Sequence, residues 1–385
     1  MRARLIVVLG LVLLAAGAAP PVTASTETSG PIHATETTCS FPVTVTDATG
    51  ASVTVAGEPQ RIVTLSPSAA QIMWEIGGKS KVVGVSQYAA YLEGAGSRTN
   101  VSGAGNAYTD VETVITLEPD LVLAPNTIPN DTVRKLRQAE LTVYRYQAAE
   151  SITDIENQTR LTGTLTGECA GAQQTTARMR SQLERVHRAV DGADRPRVLY
   201  TFFGYTAGED TFIDQIITTA GGENVAAEAG ISGYKLISEE TIIDQNPQWI
   251  VRNDQQPTVP RSQAYNSTDA VKQGNVVVLN RNYISQPAPR VVQPITTLAR
   301  TLHPDAYAAA NVTQGASATA SASATGTGEP TSPTGTNAST AAAGASPSTP
   351  GTTATTTPGF GVGVGVACVG VLSAVAAVAV ARREH

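Results

Sequence analysis

Two stretches of this chain repeat one another. Glu112-Thr113-Val114-Ile115 runs through Pro119 into Leu121-Val122-Leu123, and Glu240-Thr241-Ile242-Ile243 runs through Pro247 into Trp249-Ile250-Val251, with the Glu, the Thr, the apolar pair, the Pro and the closing apolar run in step. Each copy reads as a short helix, a Pro-bearing turn and a strand apolar on both faces, the pattern of a buried parallel strand. The correspondence continues upstream. Gln71-Ile72 leads to Gly77-Gly78 and Gln215-Ile216 to Gly221-Gly222 at the same spacing, each a helix closed by a glycine able to take the left-handed cap conformation. Apolar strands precede them, Arg61 to Leu65 and Arg197 to Phe202. A strand–helix–strand–helix–strand unit written twice predicts an α/β fold with two Rossmann-like lobes, each built on a parallel sheet.

The lobes are expected over residues 41–150 and 195–310, with residues 151–194 as a helical connector. The stretch from Ser151 to Asp191 contains no Pro, and Ala177, Met179, Leu183, Val186 and Val190 fall near helical spacing. This predicts one long connecting helix, whereas a flexible hinge would show Gly, Pro and several separate crossings.

The ends of the chain carry addressing signals. Arg2 and Arg4 precede the apolar run Leu5 to Ala16, followed by small residues up to Ala24, which reads as a secretory signal peptide over residues 1–24. Residues 311–357 are almost wholly Ala, Ser, Thr, Gly and Pro, a composition that cannot bury enough apolar surface to offset its ordering entropy and predicts a disordered stalk. Residues 358–385 follow as an anchor: Pro358-Gly359-Phe360, an uncharged run to Ala381, then Arg382-Arg383. That order resembles the C-terminal sorting signal of archaeal surface proteins, and either a retained membrane helix or its replacement by a lipid would hold the chain at the extracellular face of the cell membrane. At about 5–6 Å × √n the stalk would span on the order of 40 Å, keeping the lobes close to a membrane partner yet free to dock and release.

Composition excludes several classes. The net charge is -6, from 26 Lys and Arg against 32 Asp and Glu, and no basic stripe appears, so nucleic acid is not an expected partner. Cys368 lies in the tail, leaving Cys39 and Cys169 to pair in an oxidising compartment. Sequons at Asn100, Asn130, Asn157, Asn266, Asn311 and Asn337 suit an exported glycoprotein. Of the histidines, His33 and His385 lie near the termini, and His187 and His303 have no partner at metal-ligand spacing, so no metal site and no cofactor are expected. Neither a Gly-x-Ser-x-Gly elbow nor a phosphate-cradling Lys loop occurs, so no enzyme is expected.

In parallel α/β sheets, ligands sit beyond the carboxyl ends of the strands. The residues there are Ser66-Pro67-Ser68, Gln87-Tyr88, Asn126-Thr127, Phe203-Gly204-Tyr205, Asn253-Asp254 and Asn282-Tyr283. The segment from Gly78 to Glu112 is nearly twice as long as that from Gly222 to Glu240, and its surplus contains Gln87, Tyr88, Tyr91 and a Gly-rich stretch to Tyr108. Ser66 reads as a helix cap with Pro67 in the first turn, leaving backbone N–H groups able to face an anion or carbonyl. Tyr88, Phe203 and Tyr234 are expected to offer apolar faces, and Ser66, Asn126, Asn282 and Arg290 polar contacts. Tyr91, Thr127 and Tyr205 complete the candidate ligand site.

These residues resemble the helical-backbone class of substrate-binding proteins of ABC importers, in its cobalamin and iron-siderophore branch. The likeness rests on Arg61-Ile62-Val63-Thr64-Leu65-Ser66-Pro67-Ser68, on Val82-Val83-Gly84-Val85-Ser86 with Tyr88, on Leu117-Glu118-Pro119-Asp120-Leu121-Val122, on Ala220-Gly221-Gly222, and on Pro287-Ala288-Pro289-Arg290. The resemblance implies a monomeric receptor that closes only slightly on a ligand held between its lobes, with cobalamin, haem and siderophore open in that order. It places Tyr88 against a corrin ring and Phe203 and Tyr234 near family aromatics, while Asn126-Thr127 lacks the bulky aromatic usual in cobalamin binders. It also implies docking to an ABC permease through one carboxylate per lobe, Glu240 in the second and Asp131 in the first. An adhesion or structural module reusing the fold, with a cleft filled by its own side chains, is the alternative.

Overall fold

The computed structural model describes residues 38–104 and 109–310. The expected signal peptide, stalk and anchor, the sequons at Asn311 and Asn337, His33, His385 and Tyr108 lie outside the described residues.

The first lobe opens with a hairpin, β1 (Val43–Thr46) and β2 (Ser52–Val55). It continues through β3 (Ile62–Thr64), α1 (Pro67–Glu75), β4 (Val82–Val85), β5 (Thr99–Asn100), α2 (Val111–Thr116), β6 (Leu121–Ala124), α3 (Asn130–Gln138) and β7 (Val143–Arg145). Two helices follow, α4 (Ile152–Thr166) and α5 (Cys169–Val190). The second lobe contains β8 (Arg197–Tyr200), β9 (Tyr205–Ala207), α6 (Phe212–Thr219), β10 (Glu223–Asn224), α7 (Val225–Glu228), β11 (Tyr234–Leu236), α8 (Glu239–Gln245) and β12 (Trp249–Asn253). It ends with α9 (Gln263–Ser267), α10 (Asp269–Gln273), β13 (Val276–Leu279), α11 (Arg281–Ile284) and α12 (Val292–Leu302).

The repeat in the sequence is a repeat in topology. The first sheet is parallel in the order β5-β4-β3-β6-β7, the second parallel in the order β10-β8-β12-β13. Without β5, corresponding strands occupy the same places in both. Alternate residues of each apolar strand feed separate cores on the two faces of a sheet. Ile62, Leu121 and Leu123 enter one core of the first lobe and Val63, Val122 and Ala124 the other. In the second lobe Val198, Tyr200 and Val251 enter one, and Leu199 and Ile250 the other. Burial on both faces is why these strands read as unbroken apolar runs.

The connector differs from the sequence expectation in one respect. Gly167 adopts φ 81° and ends α4, so the Ser151–Asp191 stretch is two helices. They lie antiparallel, with Arg180 Nε 2.7 Å from Glu156 Oε2. The longer of the two is α5, 22 residues long, or about 33 Å at 1.5 Å per residue. Its beginning enters the first lobe's core through Ala172, and Met179, Val186 and Val190 enter the second lobe's. Gly171 allows α5 to lie against the end of α1, where a Cβ would collide with the Ile76 carbonyl, and Thr175 Oγ1 donates to the Glu75 carbonyl at 2.8 Å. α4 also enters both cores, in the opposite direction, with Leu165 in the first lobe's core and Ile152 and Ile155 in the second's, and two antiparallel helices packed into both cores make a stiff joint.

Cys39 and Cys169 form a disulfide with Cα atoms 5.6 Å apart, tying the lead-in to β1 to the start of α5. The hairpin itself is held at Asp47, a fully buried side chain. Asp47 Oδ1 accepts from the Thr49 backbone N–H and hydroxyl at 2.8 and 2.6 Å, while Oδ2 pairs with Arg137 and accepts from the Arg145 N–H at 3.1 Å. Burial alone would raise the Asp47 pKa; the hydrogen bonds from Thr49, Arg137 and Arg145 outweigh it and hold the carboxyl below its ordinary value.

Candidate ligand cleft

The loops beyond the strand ends meet across the lobes at one buried amide. Gln71, on α1 and fully buried, donates through Nε2 to the Tyr91 hydroxyl at 2.7 Å and to the Asn282 carbonyl at 3.2 Å. Its Oε1 accepts from the Arg290 backbone N–H at 3.0 Å. Beside it Arg290 Nε donates to Glu75 Oε1 at 2.7 Å. Tyr283 stands edge-on to Tyr91, with centroids 6.4 Å apart, and carries the Arg290 guanidinium 5.6 Å from its ring centre. Burial pushes the Tyr91 hydroxyl up to about 12, with the Gln71 hydrogen bond and Arg290 acting against it. Burial would lower the Arg290 pKa, but the hydrogen bond and charge of Glu75 outweigh it and raise it. Tyr91, the Asn282 backbone and Arg290, expected as ligand contacts, are thus joined in an inter-lobe seam.

The other expected residues divide by role. Ser66 is the N-cap of α1: its Oγ accepts from the Ala69 N–H at 3.2 Å and lies 2.9 Å from Ser68 Oγ. Tyr88 follows β4 on a single turn over Gln87–Ala89 and is 54% exposed, a large ring with free apolar surface. Past β6, Thr127 is exposed and the Asn126 carbonyl accepts from Arg145 Nη2 at 2.6 Å.

In the second lobe Phe203 and Gly204 form a tight turn between Phe202 and Tyr205, closed by reciprocal backbone hydrogen bonds of 2.9 and 2.8 Å. Both turn residues have positive φ, 47° and 79°, values that favour Asn-Gly at such a place and are strained for a ring-bearing residue. Beneath the turn the Phe202 ring centre lies 5.4 Å from Tyr200, 6.0 Å from Tyr205 and 6.4 Å from Tyr234. Burial raises the Tyr200 hydroxyl to about 12 and the Tyr234 hydroxyl further. Tyr205 and Tyr234 support the turn, and Phe203 borders a cavity of about 330 Å³ also lined by Gly204, Arg252, Gln256, Pro257 and Thr258. Gln256 Oε1 pins the turn by accepting from the Phe203 N–H at 2.5 Å.

Sequence reading did not single out Arg252 and Gln256, which line this cavity. The signal was a charged residue inside the apolar strand Trp249-Ile250-Val251-Arg252, which has no counterpart in Leu121-Val122-Leu123-Ala124. Nor did it single out Glu112. By the internal repeat Glu112 corresponds to Glu240, and the structure puts both, exposed, in the first turn of a capped helix, α2 after Asp110 and α8 after Ser238. Asp131 lies in the first turn of α3 and makes an ion pair of 2.9 Å with Arg134 on the same helix.

The matching family model, described as periplasmic binding protein, spans residues 62–283. A cobalamin-binding protein of Halobacterium salinarum is 47% identical over 277 residues, covering 69% of this chain and 75% of that protein. An uncharacterised ABC transporter substrate-binding lipoprotein of Bacillus subtilis, YvrC, is 28% identical over 279 residues, covering 69% of this chain and 87% of the relative. Among solved structures, the periplasmic vitamin B12 binding protein BtuF of Vibrio cholerae superposes with a TM-score of 0.56 at 23% identity, over 63% of this chain and 96% of its own, which is a likeness of fold. The two-lobed fold, the family match and these relatives agree: the chain belongs to the periplasmic binding protein family.

Proposed function

We propose that this protein is the surface-tethered receptor of an ABC importer, holding a corrinoid, a haem or an iron-siderophore between its lobes, with cobalamin the first candidate. The observation that carries the reading is the 47% identity maintained over 75% of a cobalamin-binding protein. The cleft supports it. Tyr88 on one lobe and Phe203 on the other offer aromatic surface, which gives contact area at small entropy cost and suits a planar ligand. Capture needs no general acid or base. The stiff joint at α4 and α5 favours a cleft that changes little on binding.

Delivery requires recognition by a permease. Glu112 and Glu240 stand at matching positions on the two lobes, and exposed carboxylates so placed suit charge-assisted bonds to arginines of a two-fold membrane partner. The tether is read from residues 311–385, and export also makes the exposed sequons Asn100, Asn130, Asn157 and Asn266 candidate glycan acceptors. The test is titration of the purified monomeric protein with cyanocobalamin, haemin and a ferric siderophore by calorimetry. Saturable binding of one is expected; binding of none would sink the receptor reading.

A further inference from the structure

Arg252 lies one residue before the end of β12 with 3% of its surface exposed. Its guanidinium reaches three oxygens, all neutral: Nε donates to the Gln256 carbonyl at 2.8 Å, Nη1 to the Thr201 carbonyl at 3.0 Å, and Nη2 to Gln256 Oε1 at only 3.4 Å. The groups whose charge bears on it are the hydroxyls of Tyr265 and Tyr200, and burial lowers its pKa. Among the described residues it has no carboxylate partner. A cation taken out of water without a counter-charge is costly, so buried charges are ordinarily paired. The same side chain lines the cavity beside Phe203, and the planar fork of a guanidinium fits carboxylate or phosphate oxygens in a bidentate manner. A volume of about 330 Å³ is at the small end for a ligand pocket and suits one arm of a larger molecule. Gln256 joins the parts, holding the Phe203 turn and the guanidinium through the same Oε1.

We propose that Arg252 is the anion-recognising residue of this cleft, and that the transported ligand places an oxyanion arm, a carboxylate or a phosphodiester, in the cavity under Phe203. This rests on the receptor reading for its ligand and on the unpaired cation for its chemistry. Aromatic surface then selects the body of the ligand, and Arg252 selects its charged arm.

The first readout uses inorganic phosphate as probe. Sodium phosphate should raise the Tm of the wild-type protein above that in sodium chloride of equal ionic strength, and Arg252→Met should abolish the difference. The second uses ligand pairs differing in the anion. Arg252→Met should weaken cobalamin tenfold or more while leaving cobinamide, which lacks the phosphodiester, within twofold. If haemin is the ligand, the same contrast should appear between haemin and its dimethyl ester. An unchanged phosphate effect in the variant, or equal losses for both members of a pair, overturns the proposal. Should Arg252→Met fail to fold, NMR of the arginine Nε–H groups in the wild type decides: the Arg252 resonance must move on phosphate titration, and a stationary one overturns it. If phosphate moves it while no corrinoid, haemin or siderophore binds, the anion site stands and the ligand assignment fails.

Discussion

Arg290 Nε lies 2.7 Å from Glu75 Oε1, and this pair joins the two lobes from positions 215 residues apart in the chain. Glu75 ends α1 in the first lobe, where its carbonyl also accepts from Thr175 of α5. Arg290 lies in the turn before α12 in the second, and its backbone N–H meets the buried Gln71 amide. The back of the cleft is therefore a hydrogen-bonded seam next to α5. Both side chains are about three-quarters buried, so the pair is screened less than a surface ion pair. Glu75→Gln should cost about 1–2 kcal/mol in urea unfolding. A double-mutant cycle with Arg290→Gln should return a coupling of about 1 kcal/mol or more, and additive losses would show that the two do not act together.

The rings of the cleft should act mainly on affinity. Tyr88→Ala and Phe203→Ala are each expected to weaken ligand binding by about 1–2 kcal/mol, roughly five- to thirty-fold, measured by calorimetry. Phe203→Asn separates binding from strain. It fits the positive φ of 47°, so the unliganded protein should gain about 1 kcal/mol in stability while ligand affinity falls as in Phe203→Ala.

Charge reversal tests docking. Glu112→Arg and Glu240→Arg should each reduce uptake of the ligand by whole cells at least tenfold, with ligand affinity unchanged in the purified receptor. Asp131→Arg should leave uptake near wild type, since its pairing with Arg134 and its place outside the repeat give it no matching residue on the other lobe. The reverse pattern would move the docking surface to α3.

The disulfide closes a loop of 130 residues. Chain-entropy arguments assign about 4–5 kcal/mol to a loop of that size, with native disulfides typically contributing about 2–5. Cys39→Ser with Cys169→Ser should therefore lower the Tm by roughly 5–15 °C in a scanning calorimeter. Affinity in the folded double variant should be retained.

Asp47 sets an acid limit. Its folded-state pKa is held below the ordinary 3.8, so its contribution is fully present above about pH 4–5 and is lost as pH falls through the depressed value. Asp47→Asn should lower stability at pH 7 by about 2–4 kcal/mol, because Arg137 is left without its partner. It should also flatten the fall in stability below pH 4, followed by urea midpoints across pH 2–7.

The division between sequence and tertiary structure follows from the range over which each interaction acts. Burial on both faces of a strand leaves an unbroken apolar run, and a helix end leaves a glycine or a cap, so the doubled α/β plan could be read from Leu121-Val122-Leu123 and Ile250-Val251 with the helices before them. The alternating Val43-Thr44-Val45-Thr46 and Ser52-Val53-Thr54-Val55 carried the hairpin signal as plainly, and Gly167 marked the break between α4 and α5. The same repeat that drew the lobes also matched Glu112 to Glu240. Side-chain partners were another matter. Nothing near Arg290 in the sequence shows that Glu75 meets it, and nothing near Arg252 shows that every acceptor it reaches is neutral. Pairing of a charge depends on which surfaces the fold brings within about 3 Å, and that is decided by packing between segments far apart in the chain. The sequence by itself determined two parallel-sheet lobes and their likeness to a binding-protein family; only the tertiary structure decided that Tyr91, Asn282 and Arg290 close the back of the cleft while Arg252 is left facing its cavity.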